Sequence, residues 1–376
     1  MNAGTDRRPF LTPILKSVTE AGRVKRMPDP LKISLSSNDY LGLSRHPKIV
    51  EASIDALRKS GAGSTGSRYL SGNNPLNEAL ESRIAHFKSN GAGAGLIFSS
   101  GYHANLSVVS VFGSHAGSIY SDAENHASLV DGLRLLKKTI HVYPHRDWEW
   151  IRDHLRKSGG VSPMIVSESL FSMSGDFGPL PDLLEIARET GGILIIDDAH
   201  ATGTLGMTGR GGLEHFSLEF DPDHMIVTGN FSKALGSHGG FAVLATEGKT
   251  ILTSLARPLI YTTALPPAVL GASLCSLEIL ETSPDLPKAL QSLSEKWQKK
   301  ITGNSTHSPI LNVRGDLETL TLESSKLNDS GFDLPVLRYP TVPAGTECLR
   351  LSVNLTWSSA VEEALEKTFF RRIERS

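Results

Sequence analysis

The sequence predicts an α/β fold in which helices cover a mainly parallel β-sheet, followed by a smaller α+β domain at the C-terminus. Short apolar, β-branched segments alternate with amphipathic helical segments through the middle of the chain. Most of these apolar segments are continuous rather than alternating, which is typical of strands buried on both faces of a sheet. After Pro284 the alternation ends, and longer helices with isolated strands predict the smaller domain.

The elements of the predicted sheet domain follow from these patterns in order along the chain. At Asn74-Pro75 a capping side chain and a proline suited to the first helical turn precede apolar residues spaced three or four apart. The predicted strands are Leu96–Phe98, Ser118–Tyr120, Thr139–Tyr143, Met164–Val166, Ile193–Ile196, Met225–Val227 and Phe241–Leu244. The predicted helices of this part are Ile49–Ser60, Leu76–Phe87, Ala104–Val111, Ser128–Lys137, Asp147–Lys157 and Leu180–Glu189.

The uncharged segment from Pro258 to Leu277 opens the C-terminal part and is about long enough to span a bilayer. Pro266-Pro267 interrupts it, so we interpret it as a buried turn followed by a core helix, 267–280. We expect an N-terminal arm (1–35), a large domain (36–265) and a C-terminal α+β domain with a linking helix (266–376). The further C-terminal elements predicted are helix Leu286–Ile301, strands Ile310–Val313 and Cys348–Val353, and helix Ser358–Arg371.

Composition and charge exclude several classes of protein. With 39% apolar and 21% charged residues, the 376-residue chain is typical of a folded globular protein. A formal net charge of -2 gives no global electrostatic reason to bind nucleic acid or an anionic membrane. Its two cysteines, Cys275 and Cys348, exclude a disulfide scaffold and fit a reducing compartment. No apolar run follows Arg7 and Arg8, so we expect no signal peptide and a cytoplasmic protein.

Two glycine-containing segments bear on ligand binding. The segment Gly61–Gly66 matches the GxGxxG pattern, but the dinucleotide fingerprint needs a strand before it and a helix after it. Here a predicted helix precedes and a loop follows, which favours a flexible loop near a ligand or a subunit contact. The segment Ser99–Asn105 follows a predicted strand and opens a helix, whose N-terminus can hold a phosphate while Tyr102 stacks on a flat ligand. An ordinary helix cap is the alternative.

A lysine and two neighbouring acids follow other predicted strands, at the end where α/β sheets bind ligands. Lys233 lies in an apolar, glycine-rich setting after the strand at Met225, where a lowered pKa would make its amine a nucleophile. Asp197, Asp198 and His200 follow the preceding strand. Either these three bind a metal, or one acid faces a cationic ring nitrogen.

Taken in order, eight segments of the chain resemble the α-oxoamine synthase family of pyridoxal-phosphate (PLP) enzymes. The resemblance implies a fold type I, aspartate aminotransferase-like enzyme with a mainly parallel seven-stranded sheet, and a homodimer with shared active sites. It implies condensation of an amino acid with an acyl thioester, carried by coenzyme A or an acyl-carrier protein, with loss of CO2 and the thiol. The matching segments are Ser36–Leu43, Ser99–Tyr102, Asn125–Ser128, Glu168 with Phe171–Asp176, Asp197–His200, Ser232–Gly236, Tyr261–Pro267 and Arg350–Ser352.

The resemblance also implies roles for residues of a cofactor site. Lys233 would hold PLP covalently and serve as acid and base at the α-carbon of the amino acid, while Asp197 would pair with the pyridine nitrogen. His126 would stack on the ring and help to place the thioester, and His200 would hydrogen-bond the phenolic oxygen. The other cofactor contacts implied are Gly101, Tyr102, Glu168, Ser172, Asn230 and Thr263, the last reaching the phosphate of the neighbouring subunit.

For the substrates, the resemblance implies Asn38, Thr341 and Arg350, with the Arg350 guanidinium as a clamp on the amino-acid carboxylate. An N-terminal arginine contacts the acyl substrate in the family, and Arg23 is the nearest candidate, although Arg26 fits almost as well.

Two features leave the assignment open. The family commonly has threonine where this chain has Asn230, which puts cofactor affinity in question more than chemistry. The motifs also leave open which amino acid and acyl chain are used. A non-catalytic family subunit is the remaining alternative, and such subunits typically lack the lysine that this chain retains as Lys233.

Overall fold

The computed structural model describes residues 10–373 with the exception of 22, 25, 26 and 340. A short 3-10 helix covers Leu43–Arg45. The helices are α1 (Leu11–Glu20), α2 (Pro47–Ser60), α3 (Pro75–Ser89), α4 (Gly101–Gly113), α5 (Ala127–Arg134), α6 (Trp148–Ser158), α7 (Leu180–Thr190), α8 (Gly212–His215), α9 (Thr246–Leu255), α10 (Arg257–Ile260), α11 (Pro267–Thr282), α12 (Asp285–Thr302), α13 (Leu317–Asp329) and α14 (Ser359–Ile373). The strands are β1 (Ile33–Ser34), β2 (Ala94–Phe98), β3 (Ser118–Asp122), β4 (His141–Tyr143), β5 (Pro163–Glu168), β6 (Ile193–Asp197), β7 (Met225–Asn230), β8 (Gly240–Leu244), β9 (Ile310–Arg314), β10 (Phe332–Asp333), β11 (Val336–Leu337) and β12 (Cys348–Ser352).

A seven-stranded sheet forms the centre of the larger part of the chain. Its strand order is β2-β8-β7-β6-β5-β3-β4, and all neighbours are parallel except β8, which runs antiparallel to β2 and β7. Every residue of β5, β7 and β8 is buried, as expected for strands covered on both faces. The predicted α/β fold with a mainly parallel seven-stranded sheet is therefore confirmed.

Capping residues decide where the helices begin. Asn74 caps α3 by accepting the N–H of Leu76 at 2.9 Å. Ser100 caps α4 by accepting the N–H of His103 at 3.2 Å, so α4 begins at Gly101, earlier than the predicted Ala104. The GxGxxG segment lies in a loop between α2 and α3, the context that argued against a dinucleotide site.

By compactness the chain divides into two units. The larger, residues 38–311 and 352–357, contains the seven-stranded sheet and helices α2 to α12. Within it α11 packs against α2 and α3. Compactness thus groups α11 and α12 with the sheet, whereas the sequence placed them after a boundary at residue 265; the expected domain boundaries stay a prediction.

The smaller unit comprises residues 1–37, 312–351 and 358–376. Strand β1 pairs in parallel with β10, with Ile33 opposite Phe332. Strand β11 pairs antiparallel with β12, and helices α13 and α14 pack together. This mixture of short strands and helices has the α+β character expected of the small domain.

The uncharged segment Pro258–Leu277 folds as a turn followed by a core helix. Pro266 precedes α11, in which Leu270 and Leu277 are completely buried. The predicted core helix is confirmed, but the prediction of a buried turn before it is wrong, because Tyr261 is 71% exposed and Thr263 is exposed as well. None of the helices in the described part of the chain combines the length and the apolar character needed to cross a bilayer.

Candidate active site

Three neighbouring strands end on polar residues at one edge of the seven-stranded sheet. Glu168 at the end of β5 lies opposite Asp197 at the end of β6, and Asp197 lies opposite Thr228 of β7. The loops that follow β6 and β7 carry His200 and Lys233. Because the carboxyl ends of parallel strands meet at one edge, the register brings these predicted site residues together.

Asp197 is a buried carboxylate whose two oxygens both have donors. It is 5% exposed, and its Oδ1 accepts the N–H of Ala199 at 2.9 Å. Its Oδ2 accepts the side-chain amide of Asn105 at 2.6 Å. These bonds fix the orientation of the carboxylate at the strand end, where it can pair with a cationic ring nitrogen.

Asp198, the next residue, belongs instead to a structural network. Its Oδ1 accepts the Ser169 hydroxyl at 2.6 Å and the N–H of Gly212 at 2.8 Å. Its Oδ2 accepts the Thr202 hydroxyl at 2.7 Å and forms an ion pair with Lys88 Nζ at 2.5 Å. No group of three or more His, Cys, Asp or Glu within the described residues is arranged to hold a metal ion.

Lys88, the ion-pair partner of Asp198, is a residue that the sequence patterns did not single out. Its side chain is completely buried in the last turn of α3. A signal was present, because Leu80, Ile84 and Lys88 are four apart and share the buried face of the helix. Removing one partner of a buried ion pair typically costs about 3–5 kcal/mol, so this pair anchors the turn after β6.

Lys233 lies on the loop between β7 and β8, immediately beside the strand ends. Its carbonyl oxygen accepts the N–H of Gly236 at 2.8 Å, which closes a tight turn around the lysine. The charge of its amine acts on both His126 and Glu168, so the amine lies among the polar residues of this edge.

His126 and Glu168 are joined by a short hydrogen bond, in which the backbone N–H of His126 donates to Glu168 Oε1 at 2.6 Å. Burial lowers the pKa of His126; the charge of Asp197 opposes this shift and that of Lys233 adds to it. Burial, and then the charge of Asp197, raise the pKa of Glu168 well above its usual value. At neutral pH the His126 imidazole is therefore uncharged, a flat ring suited to stacking on an aromatic cofactor.

Tyr40 connects a predicted substrate residue with a predicted cofactor residue. Its hydroxyl lies 2.8 Å from Nδ1 of His200 and donates to Oδ1 of Asn38 at 3.1 Å. The Ser352 hydroxyl donates to the same Asn38 oxygen at 3.1 Å. Because Tyr40 is completely buried, its one fixed hydroxyl holds Asn38 and His200 close to each other.

The N-terminus of α4 lies beside the end of β7. A Cβ on Gly101 would lie 3.0 Å from Cβ of Asn230 and 3.5 Å from its side-chain nitrogen. Asn230 Oδ1 accepts the N–H of Ser232 at 3.2 Å, so the amide nitrogen is the atom turned toward Gly101. That nitrogen and the backbone N–H groups of Gly101 and Tyr102, at the start of α4, can bind a phosphate together. Tyr102, in the same turn, is 41% exposed and donates to Asp131.

These residues fit a flat, phosphorylated aromatic cofactor that carries a carbonyl group. The Lys233 amine can bond to the carbonyl carbon, and Asp197 can pair with a ring nitrogen. The uncharged His126 ring can stack on the cofactor, and the α4 N-terminus with Asn230 can hold its phosphate. Ser172, also predicted here, lies on the loop after β5 and donates its backbone N–H to Glu168.

The remaining predicted residues belong to other segments of the chain. Thr263 is exposed on the loop between α10 and α11. In the smaller unit, Arg350 lies in β12, is 8% exposed, and accepts the Ser36 hydroxyl on its carbonyl at 3.0 Å. Thr341 and Arg23 are exposed residues of the same unit. Their predicted contacts with substrate stay predictions, and Arg26, the alternative to Arg23, lies outside the described residues.

Comparisons with known proteins identify the family of the chain. A family model described as aminotransferase class I and II matches residues 30–367. The 8-amino-7-oxononanoate synthase of Mycobacterium bovis is 38% identical over 325 residues, covering 86% of this chain and 83% of that protein. A solved serine palmitoyltransferase from S. paucimobilis, with a bound PLP–myriocin aldimine, aligns with a TM-score of 0.84 and 27% identity over 99% of both chains. The solved 8-amino-7-oxononanoate synthase of Francisella tularensis aligns with a TM-score of 0.76 and 28% identity, over 91% of this chain and 98% of that one.

The relatives confirm the family that the sequence motifs resemble, and with it the PLP cofactor that the residues at the sheet edge fit. The chain therefore belongs to the aminotransferase class I and II family and, within it, to the α-oxoamine synthases, which are PLP-dependent acyltransferases of fold type I.

Proposed function

We propose that this enzyme condenses L-alanine with a pimeloyl thioester, of coenzyme A or of an acyl-carrier protein, to give 8-amino-7-oxononanoate, CO2 and the free thiol. This reaction belongs to biotin biosynthesis. The observation that carries the proposal is the 38% identity to the M. bovis protein of that name. The serine palmitoyltransferase structure covers more of the chain but is only 27% identical, so it supports the fold more than the substrate.

The polar edge of the sheet supplies the groups that this chemistry needs. PLP, when bound, supplies a conjugated ring that takes up the electron pair released at the α-carbon of the amino acid. Lys233 holds the cofactor and moves the α-proton, and the anionic Asp197 keeps the ring nitrogen protonated. The uncharged His126 stacks on the ring and helps to place the thioester, and His200 hydrogen-bonds the phenolic oxygen.

Supporting contacts hold these groups in place. Glu168 accepts the backbone N–H groups of His126 and Ser172, and so connects the loops after β3 and β5. Gly101 and Asn230 border the phosphate, with Tyr102 in the same turn.

The substrates are held by residues that the family resemblance suggests. Arg350 clamps the carboxylate of the amino acid, because a guanidinium can donate two parallel hydrogen bonds to it. Asn38 and Thr341 complete the amino-acid site, and Arg23 contacts the acyl chain or its carrier.

We further propose a cytoplasmic homodimer in which Thr263 of each subunit reaches the phosphate bound by the other. Thr263 is exposed, as such a role requires. Cys275 and Cys348 are both free thiols, which supports a reducing compartment.

Borohydride reduction tests the cofactor site. Purified protein should be yellow, and reduction should fix the cofactor onto Lys233, as located by peptide mass spectrometry. Lys233→Ala should abolish both the fixation and the activity, while Lys299→Ala, at an exposed lysine of α12, should change neither. A colourless protein that takes up no PLP would refute the proposed roles of the site residues.

A substrate panel read by thiol release tests the reaction itself. L-alanine with a pimeloyl thioester should be the best pair, offered both on coenzyme A and on a carrier protein. The competitors are glycine with acetyl- or succinyl-coenzyme A, and serine with palmitoyl-coenzyme A. Faster turnover of any competitor would reassign the enzyme to 2-amino-3-ketobutyrate ligase, 5-aminolevulinate synthase or serine palmitoyltransferase. If no pair is turned over, the protein is a non-catalytic subunit.

A further inference from the structure

Asn105 on α4 lies between two residues of the proposed cofactor site. Its side chain is 3% exposed. Its Nδ2 donates to Oδ2 of Asp197 at 2.6 Å and to Oγ of Ser128 at 2.9 Å. Its Oδ1 accepts the hydroxyl of Thr228 at 2.6 Å. This one buried amide thus forms hydrogen bonds through both N–H groups and its oxygen, and its partners lie on three different elements: β6, α5 and β7.

The neighbours of this amide determine which way it points. A carboxylate only accepts hydrogen bonds, so the Asn105 atom beside Asp197 is the nitrogen. The oxygen then faces Thr228, whose hydroxyl can donate to it. The second N–H points at the Ser128 oxygen, which accepts it and keeps its own proton free to donate elsewhere.

Ser128 connects the Asn105 amide to His126 by hydrogen bonds. The Ser128 hydroxyl oxygen lies 2.7 Å from Nδ1 of His126, and the Ser128 backbone N–H points at the same nitrogen from 3.2 Å. A backbone N–H can only donate, so Nδ1 is an acceptor and the proton of the neutral ring is on Nε2. His126 is thereby held in one tautomer and one orientation.

We propose that Asn105 is a positioning residue that couples Asp197 to His126. Its amide orients the carboxylate that pairs with the cofactor's ring nitrogen. Through the Ser128 hydroxyl it also reinforces the tautomer that the Ser128 backbone N–H favours in the imidazole that stacks on the ring. The inference rests on the proposed roles of Asp197 and His126 toward PLP. It does not depend on which amino acid and thioester are the substrates.

Three variants of the full-length, PLP-loaded protein distinguish the bond from Asn105 to Asp197 from the connection that runs through Ser128 to His126. Asn105→Leu removes the bonds to both Asp197 and Ser128 at similar side-chain volume, and Ser128→Ala removes the hydroxyl that joins Asn105 to His126 but keeps the bond from Asn105 to Asp197. Ser107→Ala is the matched control, because Ser107 is a completely buried residue of α4 whose hydroxyl has no hydrogen-bond partner among the described residues. The readouts are the nitrogen-15 NMR shifts of the His126 ring, which report the tautomer, and the PLP dissociation constant.

Ser128→Ala leaves Nδ1 of His126 only the longer hydrogen bond from the backbone N–H of residue 128, so the second tautomer should become measurably populated while the PLP dissociation constant stays unchanged. Asn105→Leu should do the same to His126 and also raise the dissociation constant. The expected rise is about 10- to 100-fold, the loss that removing one hydrogen bond to a charged group typically causes. Ser107→Ala should alter neither readout.

The proposal is overturned if Ser128→Ala leaves the His126 tautomer unchanged, or if Asn105→Leu weakens PLP binding no more than Ser107→Ala does. Should Asn105→Leu fail to fold, Thr228→Val replaces it, since it removes the donor that holds the Asn105 oxygen. A wild-type protein that shows the expected tautomer but turns over no pimeloyl thioester refutes the proposed reaction and leaves this inference standing. A wild-type protein that binds no PLP overturns both.

Discussion

His145 shows how neighbouring carboxylates decide the protonation state of a single residue beside the site. Its Nδ1 lies 2.8 Å from Oδ1 of Asp122, and its Nε2 lies 3.6 Å from Glu124 and 3.5 Å from Asp176. Burial lowers the pKa of His145, but the bonds and charges of these three acids outweigh it and raise the pKa to about 9. The charged ring therefore connects the loop after β3, which carries His126, with the loop after β5.

We expect the protein to lose stability as the pH rises from 6.5 to 9. The folded state keeps the His145 proton up to about pH 9, whereas the unfolded chain releases it near 6.5. The stabilisation is therefore complete below pH 6.5 and is lost as the pH rises through 9. Urea midpoints should fall over this range for the wild type and for His115→Gln, an exposed-residue control, and fall less for His145→Gln. Equal slopes for wild type and His145→Gln would contradict this account.

Single residues also show where sequence reasoning stops. Lys233 and Asp197 could be predicted because a lysine or an acid after a strand is a local pattern. The roles of Asn105 and Lys88 could not be predicted, since each depends on its partner; for Lys88 the sequence indicated only its place on the buried face of α3. Asn105 meets an aspartate 92 positions away, and Lys88 meets one 110 positions away.

At the scale of elements, the turn that carries Lys233 depends on one glycine between β7 and β8. Gly236 has a φ of +60°, in the left-handed region that favours glycine. A Cβ there would collide with backbone atoms of Leu43 and Ser44, which cannot swing aside as a side chain could. Gly303, at the C-terminus of α12, has a φ of +76° but no atom within 4 Å of such a Cβ. Comparing substitutions at Gly236 and Gly303 therefore separates the cost of backbone strain from the cost of a steric collision.

Gly236→Ala should destabilise the protein more than Gly303→Ala. The control should lose about 1 kcal/mol of unfolding free energy from the left-handed backbone alone. The collision at Gly236 should bring its total loss to about 2–4 kcal/mol and weaken PLP binding, because the lysine turn must shift. Urea unfolding and spectroscopic PLP titration measure the two effects. Equal losses for both variants, with PLP affinity retained, would show that the turn tolerates a side chain.

Most elements could be predicted from local periodicity, with ends set by caps. Strand β5 is longer than its predicted core, Met164–Val166, because its terminal residues pair with β3 and β6. The sequence patterns did not predict helix α9, because its buried residues, Gly248 and Leu252, do not form a recognisable apolar stripe.

At the scale of the whole molecule, the proposed dimer makes each active site depend on two chains. Thr263 of one subunit is proposed to bind the phosphate of the cofactor that Lys233 of the other subunit holds. Subunits with different defects should then complement one another, since a mixed dimer contains one site with both residues intact. A site formed within one chain would show no such effect.

Co-expression of Lys233→Ala and Thr263→Ala subunits with different tags should restore activity. Random pairing makes half of the dimers mixed, each with one intact site, so the thiol-release rate should reach about a quarter of the wild-type rate. Each variant alone should show only its own residual rate. Mixed dimers no more active than pure Thr263→Ala protein would place Thr263 in the same chain's site or outside any site.

The sequence by itself determined the α/β fold, the order of its main elements and the family, because strand and helix periodicity and short motifs are local in the chain. The family resemblance already pointed to Asp197 rather than Asp198, and only the tertiary structure shows how the surroundings of these two adjacent acids differ. Asp197 lies opposite Glu168 and Thr228 at the sheet edge, while Asp198 pairs with a buried lysine. The tertiary structure alone also shows the order of the strands, with β8 antiparallel between β2 and β7. Both depend on contacts between residues distant in sequence, which neighbouring residues along the chain do not specify.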